Sequence, residues 1–187
     1  MSGTVRRSGS TGSIERSKRP VAAARIAGAA RRLLDASTLC AIATVSTDGR
    51  AHVNTAYFAW SREFDVVWLS HPHARHSRNV RANRSVAIAV YDSSQTWGKP
   101  DRGIQLLGSA HELAQSAARE VEPIYANRFS EYAEADLGSY RFYRFRPRRL
   151  KLLDEPVLGA GVFVTARVGS DGGVTWESTE IYRGGSE

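Results

Sequence analysis

The chain has 187 residues, 42% of them hydrophobic and 24% charged, which is typical of a globular protein and predicts one domain over residues 21–187. Cys40 is the only cysteine, which excludes an intramolecular disulfide and favours a reducing, cytoplasmic setting. The net charge is +7, and no apolar run approaches the ~18 residues of a membrane-spanning helix, so a membrane protein is not expected.

The N-terminal residues hold most of the excess charge. Residues 1–20 contain five cationic side chains and one acidic side chain, a net +4 of the total +7. This basic composition, rich in serine and glycine, predicts a disordered tail over residues 1–20. Such a tail attracts nucleic acid electrostatically, but a solubilising leader is the simpler interpretation, and we expect no nucleic-acid partner.

The first half of the chain predicts a helix followed by consecutive strands. Apolar residues recur at helical spacing up to Ala36, and the period then changes to that of strands. Asp48-Gly49 stands between two apolar runs, which is a strong signal for a hairpin. The predicted elements are a helix over 21–36, strands over 38–46, 51–60 and 64–70, and a helix over 74–83.

The second half continues with further strands around one helical segment. The predicted elements are strands over 86–91 and 104–110, a helix over 112–136 broken near Pro123, strands over 140–145 and 150–153 separated by Pro147, and strands over 162–164 and 174–176 joined by Asp171-Gly172-Gly173. Many short strands with hairpin turns and few helices indicate a mainly β protein of the α+β class. Its predicted centre is an antiparallel β-barrel.

The segment from Leu69 to Asn79 carries the strongest functional signal. A strand ends at Ser70, and Arg75, His76 and Ser77 open the following helix. A helix N-terminus presents unpaired N–H groups and a partial positive charge, so these residues predict a site for phosphate or another compact anion. The alternative is a solvated helix whose basic residues face water.

Three histidines in this segment raise the question of a metal. His71, His73 and His76 have the spacing HxHxxH, and neutral imidazoles bind zinc or iron. No carboxylate lies in the same segment, and the neighbouring arginines repel a cation, so we expect no metal site. The chain has no nucleophile elbow, Walker loop, dinucleotide fingerprint or HExxH motif, and no catalytic residue is identified.

From Leu39 to about Asp154 the chain resembles the pyridoxamine 5′-phosphate oxidase-like flavin-binding split barrels. Three segments carry the resemblance: TDGRAHVNTAYF (47–58), LSHPHARHSRNVRAN (69–83) and RGIQLLGSA (102–110). The resemblance implies an antiparallel split β-barrel of the FMN-binding type. It also implies a homodimer with FMN in clefts shared by both subunits.

The resemblance also implies roles for individual residues. Arg75 would contact the FMN phosphate, with His76 in place of the usual lysine and Ser77 beside it. Ser70 would match the strand-end hydroxyl, and the strand Asn54-Thr55-Ala56 would run along the ribityl chain and ring edge.

The chain departs from the family pattern at three positions. The arginine of the second strand falls on Asn54, and the strand-end lysine falls on Ala59. The glutamine that contacts the ring aligns with Gly103, and Gln105 lies two residues on, so it shares that strand face. The cofactor-binding residues predicted in this way are Asn54, Thr55, Ala56, Ser70, Arg75, His76, Ser77 and Gln105.

The implied function is that of a flavin-dependent oxidoreductase acting on an unidentified small molecule. Related split barrels use the deazaflavin F420, and another branch binds haem, so an F420-dependent reductase and a non-catalytic flavin- or haem-binding protein remain alternatives. The region after Asp154 does not match the substrate-binding tail of true pyridoxamine-phosphate oxidases. Oxidation of vitamin B6 is therefore not expected.

Overall fold

The computed structural model describes residues 12–134 and 137–183, which contain ten strands, four α-helices and one 3₁₀ turn. The helices are α1 (Ala23–Ala36), α2 (Arg75–Ala82), α3 (Gln115–Arg128) and α4 (Glu155–Leu158), and the 3₁₀ turn is Ser130–Glu134. The strands are β1 (Ser13–Ser17), β2 (Leu39–Val45), β3 (Ala51–Tyr57), β4 (Ala59–Trp60), β5 (Val66–Ser70), β6 (Ser85–Tyr91), β7 (Arg102–Glu112), β8 (Arg141–Asp154), β9 (Val162–Val168) and β10 (Val174–Arg183).

All ten strands form one antiparallel sheet, which confirms the predicted fold class. The strands follow the order β1-β10-β9-β8-β7-β6-β2-β3, while β5 pairs with both β8 and β4. The predicted hairpin between β2 and β3 is present, and Gly49 takes a φ of 80° at its turn. Asp171-Gly172-Gly173 likewise connects β9 to β10.

Strand β8 is where the barrel divides. Its first residues pair with β5 and its last residues pair with β9, whereas β7 runs along nearly its whole length. A bulge lies opposite Leu107 and Gly108, next to Pro147. Proline has no N–H for the ladder, and a bulge accommodates it. The sequence predicted two strands separated by Pro147, whereas the structure has one strand with a bulge.

The core fills the inside of this barrel and is closed by α1. Even-numbered residues of β2, β6 and β7, such as Ile42, Ile88 and Leu106, point inward and are buried. Helix α1 adds its apolar face, including Ile26, Leu33 and Leu34. A second cluster forms where α3 packs on β4 and β5. Cys40 is buried as well, and burial raises the pKa of its thiol to about 12.

Three further sequence predictions about the elements were wrong. Residues 13–17, which fall within the predicted disordered tail, form β1 and pair with β10, so the prediction is wrong for them; residues 1–11 of that prediction lie outside the described part. The helix predicted over 112–136 begins only at Gln115, after β7, and runs through Pro123 to Arg128. Strands β9 and β10 are longer than predicted, because they extend the same sheet.

Helix α2 is fixed to the sheet by a buried polar contact. Ser77, Asn79 and Val80 form its buried face. The Asn79 side chain donates from Nδ2 to Thr44 Oγ1 of β2 at 3.0 Å. This bond holds the middle of α2 against β2. Among the described helices, none is both long and apolar enough to cross a membrane.

Candidate functional site

The end of β5 and the start of α2 bring Ser70, His76 and Ser77 together. Ser77 Oγ donates to Ser70 Oγ at 3.3 Å, and Ser70 Oγ lies 2.7 Å from His76 Nε2. If Ser70 donates in turn to Nε2, the chain of bonds requires a neutral His76 that carries its proton on Nδ1. Ser77 is fully buried, so its hydroxyl supports Ser70 instead of facing the surface.

Burial favours the same neutral form of His76. The ring is half-buried, and burial is the main cause that lowers its pKa below the ordinary 6.5. The neighbouring His52 on β3 lowers the pKa of His76 further. The two imidazoles are stacked, with ring centroids 6.4 Å apart and planes 6° apart. His76 is therefore neutral at pH 7 in the absence of a nearby anion.

The first turn of α2 carries the positive end of the helix dipole, and no side chain of that turn balances this charge. No side chain caps it, and it contains no acidic residue. Arg75 is exposed there and has no carboxylate of the described residues within ion-pair distance. Open N–H groups, the helix dipole and a guanidinium together suit a phosphate-sized anion.

A cleft opens beside this helix start, along β3. It has a volume of about 350 Å³ and is lined by Asn54, Thr55, Ala56, Tyr57, Leu69, Ser70, His76, Tyr125, Leu137 and Tyr140. The Asn54 side chain donates to the Thr55 carbonyl at 3.3 Å, but its Oδ1 is buried and has no partner among the described residues. An unpartnered buried acceptor is costly and is satisfied by a ligand that brings a donor.

The structure brings together seven of the eight predicted binding residues. Asn54, Thr55, Ala56, Ser70 and His76 line the cleft, and Arg75 and Ser77 belong to the adjoining helix turn. Gln105 lies elsewhere. The register Thr55–Ala41–Ala89–Gln105 places it three strands from β3, roughly 14 Å away on the outer face of the sheet. It does not reach the cleft within one chain.

Sequence reasoning missed three contributors to the site. His52 lies two residues before Asn54 and so shares its side of β3, a relation that strand periodicity gives directly. Tyr125 of α3 and Tyr140, just before β8, supply aromatic walls. No local pattern signals these tyrosines, because only the tertiary fold brings them to β3.

The histidine-rich turn has no metal-binding geometry within the described residues. The rings of His71 and His73 lie 5.4 Å apart, and His71 also meets Tyr140 edge-on. No group of three histidine, cysteine or acidic residues in the described part of the chain is placed to hold an ion.

The outer face of β2, β3, β6 and β7 is unusually apolar for an exposed surface. The register puts Leu39 beside Tyr57, and places Val53 in one row with Ala43, Ala87 and Leu107. The four largest of these side chains are each between 45% and 61% exposed. We call these six residues the outer apolar face. A contiguous exposed patch of this kind marks an interaction surface.

Comparison with known proteins gives the family. The model described as pyridoxamine 5′-phosphate oxidase matches residues 26–154. No curated protein matches the sequence.

Solved structures share the fold at low identity. A heme binding protein from Mycobacterium smegmatis is 16% identical, with a TM-score of 0.65 over 83% of this chain and 62% of its own. A putative pyridoxamine 5′-phosphate oxidase from Listeria innocua is 14% identical, with a TM-score of 0.55 over 68% of this chain and 98% of its own. An F420 reductase is 22% identical, with a TM-score of 0.51 over 64% and 94% of the two chains.

At these identities the structural likeness establishes an antiparallel split barrel and nothing about the ligand. The family match covers more than half of the chain, and it includes β3, β5 and the start of α2, which build the cleft. The protein belongs to the pyridoxamine 5′-phosphate oxidase family.

Proposed function

We propose that the protein is an FMN-dependent oxidoreductase that acts on a small molecule. The observation that carries this proposal is the pairing of an uncompensated helix N-terminus at Arg75 with a cleft lined by Asn54, whose buried Oδ1 has no partner among the described residues. FMN has the matching chemistry: a phosphate at one end, and hydroxyl and ring N–H donors along the rest. Family membership supports the same assignment.

Each residue of the site then has a task. Arg75 and the first N–H groups of α2 bind the phosphate, since a guanidinium forms charge-assisted bonds with phosphate oxygens. Ser70 and His76 line the path from the phosphate to the cleft. Asn54 accepts a hydrogen bond from the cofactor, which satisfies its buried oxygen. This acceptor stands where the family pattern has an arginine, so a hydrogen bond replaces an ion contact.

The cofactor supplies hydride transfer when it is bound. The chain's own residues bind and orient. Tyr125 and Tyr140 shape the cleft, and the aromatic wall excludes water from that side. No residue of the described cleft is assigned as a proton donor, because hydride transfer of this kind does not require one.

We propose further that the working unit is a homodimer. Strand β3 is the edge of the sheet, and the outer apolar face lies directly behind it. A second copy would cover this face and enlarge the cleft along β3. Gln105 lies on the same outer side, so it would reach a cofactor only from across such an interface.

The buried thiol of Cys40 fits a reducing compartment such as the cytoplasm.

Two other ligands are second candidates. The solved neighbours include a heme binding protein and an F420 reductase. The neutral residues Asn54 and Ala59, which stand where the family pattern has cations, reduce the charge available to FMN. Haem, F420 and oxidised FMN absorb at different wavelengths, so the spectrum of the purified protein separates the three.

The deciding experiment titrates the cofactor-free protein with FMN and, as matched control, with riboflavin, which lacks the phosphate. We expect one FMN per chain and an affinity for riboflavin at least tenfold weaker, because the phosphate makes the charge-assisted contacts. Equal affinity for the two would contradict a phosphate site at α2. Bound FMN that is never reoxidised by any acceptor would indicate a storage protein instead of an enzyme.

A further inference from the structure

A second cleft lies on the far side of α3 and has no part in the proposed cofactor site. Its volume is about 480 Å³, and it is bounded by the segment before β5, by α3, by the middle of β8 and by the turn between β9 and β10. The turn packs closely on the segment before β5. Gly172 takes a φ of 78°, and a Cβ there would lie 2.7 Å from the Arg62 carbonyl oxygen. This close approach forms one side of the cleft.

Arg144 is the central group of this cleft. Its side chain is only 15% exposed, yet it makes no hydrogen bond within the described residues. Its nearest partners are carboxylates at ion-pair distance, Asp65 at 3.8 Å and Glu120 at 3.5 Å. A guanidinium has five N–H donors, and these two ion pairs leave most of the donors of Arg144 without a hydrogen-bond acceptor among the described residues.

The charges around Arg144 are arranged in two groups. Arg146 is two residues along β8 and contacts the same Asp65 carboxylate at 3.3 Å, so Asp65 holds both guanidiniums on one wall. Burial raises the pKa of Asp65, and the two arginines oppose that effect by favouring its charged form. On the other wall, Glu120 of α3 pairs with Arg144 at 3.5 Å but is 70% exposed, and the exposed Glu63 also lines the cleft.

The floor of the cleft is apolar. Val67 of β5 and Val121 of α3 are almost fully buried, and Ile124 lies one turn along the helix. Small-molecule sites usually combine an apolar lining with a few charged or polar groups that point into the cleft. A site that combines two guanidiniums with the exposed carboxylates of Glu63 and Glu120 does not suit a simple anion, because these carboxylates would repel it.

From this arrangement we infer that the cleft binds an aliphatic α-amino acid. The ligand carboxylate lies against Arg144 and Arg146, the ammonium against Glu120, and the side chain on Val67, Val121 and Ile124. The two charges of an α-amino acid are separated by two bonds of about 1.5 Å each, so a ligand lying beside the Arg144–Glu120 ion pair contacts both partners from the side of the cleft. This inference does not depend on the bound cofactor.

The experiment uses the full chain and ligand-observed NMR titration with L-leucine. Two matched probes each lack one charge: 4-methylpentanoate has no ammonium, and isoamylamine has no carboxylate. We expect saturable binding of L-leucine, and at least tenfold weaker binding of both probes, because each forfeits a charge-assisted contact. Equal binding of L-leucine and 4-methylpentanoate would overturn the role of Glu120 and with it the inference.

Three variants assign the site. Arg144→Gln and Glu120→Gln should each weaken L-leucine binding about tenfold or more, whereas Arg148→Gln, an exposed arginine of the same strand, should leave it unchanged. Glu120 is 70% exposed, so its variant decides the outcome even where Arg144→Gln fails to fold. Absence of saturable binding up to about 10 mM, or unchanged binding in Glu120→Gln, would refute the inference.

Discussion

Arg75 is the residue on which the proposed cofactor site depends most. Its guanidinium is exposed at the uncapped start of α2, where a phosphate gains both the side chain and the helix dipole. Charge-assisted bonds of this kind contribute about 1.5–3 kcal/mol. We therefore expect Arg75→Ala to weaken FMN binding about tenfold to a hundredfold in a fluorescence titration.

The matched control for Arg75 is Arg84→Ala, which removes another exposed arginine just beyond the opposite end of the same helix. It changes the net charge equally, so it corrects for long-range electrostatics, and we expect its effect to be less than twofold. If both variants bind FMN as the parent does, the start of α2 is a solvated basic face and the phosphate lies elsewhere.

His76 gives FMN binding a pH dependence of known sign. In the free protein burial holds its pKa below 6.5, so it is neutral at pH 7. A phosphate nearby favours the imidazolium and raises that pKa in the complex, so binding takes up a proton. FMN affinity should then be constant at high pH, rise as the pH falls through the pKa of the complex, and level off below the pKa of the free protein.

The His76→Gln variant tests this assignment. It keeps a polar side chain beside Ser70 and removes the titrating group, so the pH dependence between about 7 and 5 should largely disappear while some affinity remains. His73→Gln, an exposed histidine two residues before the helix, is the control and should retain the dependence. A parent protein whose FMN affinity falls with decreasing pH would show that the imidazolium does not meet the phosphate.

At the scale of elements, the bulge in β7 and β8 makes a glycine obligatory. A Cβ on Gly108 would lie 2.0 Å from the Arg146 carbonyl oxygen and 2.8 Å from Pro147 Cα, both of which are backbone atoms that cannot move aside alone. We expect Gly108→Ala to destabilise the fold by about 3 kcal/mol or more in urea unfolding. Gly28→Ala in α1 meets only the end of Arg32 at 3.6 Å and should stabilise by about 0.5–1 kcal/mol.

The elements that were predictable are those defined by local pattern. The amphipathic face of α1, the Asp48-Gly49 hairpin and the step from β5 to α2 are all visible within about a dozen residues, so the cluster Ser70–His76–Ser77 could be anticipated. Strand β1 could not be, since Ser13–Ser17 is mostly polar and becomes a strand only through its pairing with β10. The predicted break near Pro123 was wrong for a related reason: the packing of α3 on β5 maintains the helix through this residue.

The cleft walls show the same limit at longer range. Tyr125 and Tyr140 reach β3 from segments about 70 and 85 residues away in the chain, and no spacing rule connects them. The prediction that Gln105 belongs to the cleft failed for a different reason. Strand periodicity gave its face of the sheet correctly, but the number of strands between Gln105 and β3 is a property of the sheet order. Side-chain direction is local information, whereas distance across a sheet is not.

For the whole molecule, the decisive property is whether two chains associate through the outer apolar face. Val53 lies at the β3 edge of that face and is 61% exposed, an unfavourable position for valine in a monomer. A stable homodimer of this type buries on the order of 2,000 Å². We expect the parent to sediment as a dimer at micromolar concentration and Val53→Glu to sediment as a monomer, because a buried unpaired carboxylate costs several kcal/mol.

The same variant links assembly to the cofactor. If both chains build the cleft, Val53→Glu should also weaken FMN binding about tenfold or more, although its side chain does not line the described cleft. Ile14→Glu is the control, since Ile14 is 58% exposed on β1, at the opposite edge of the sheet, and should change neither mass nor affinity. A parent that is monomeric yet binds FMN tightly would show that one chain completes the site, and Gln105 would then have no role in it.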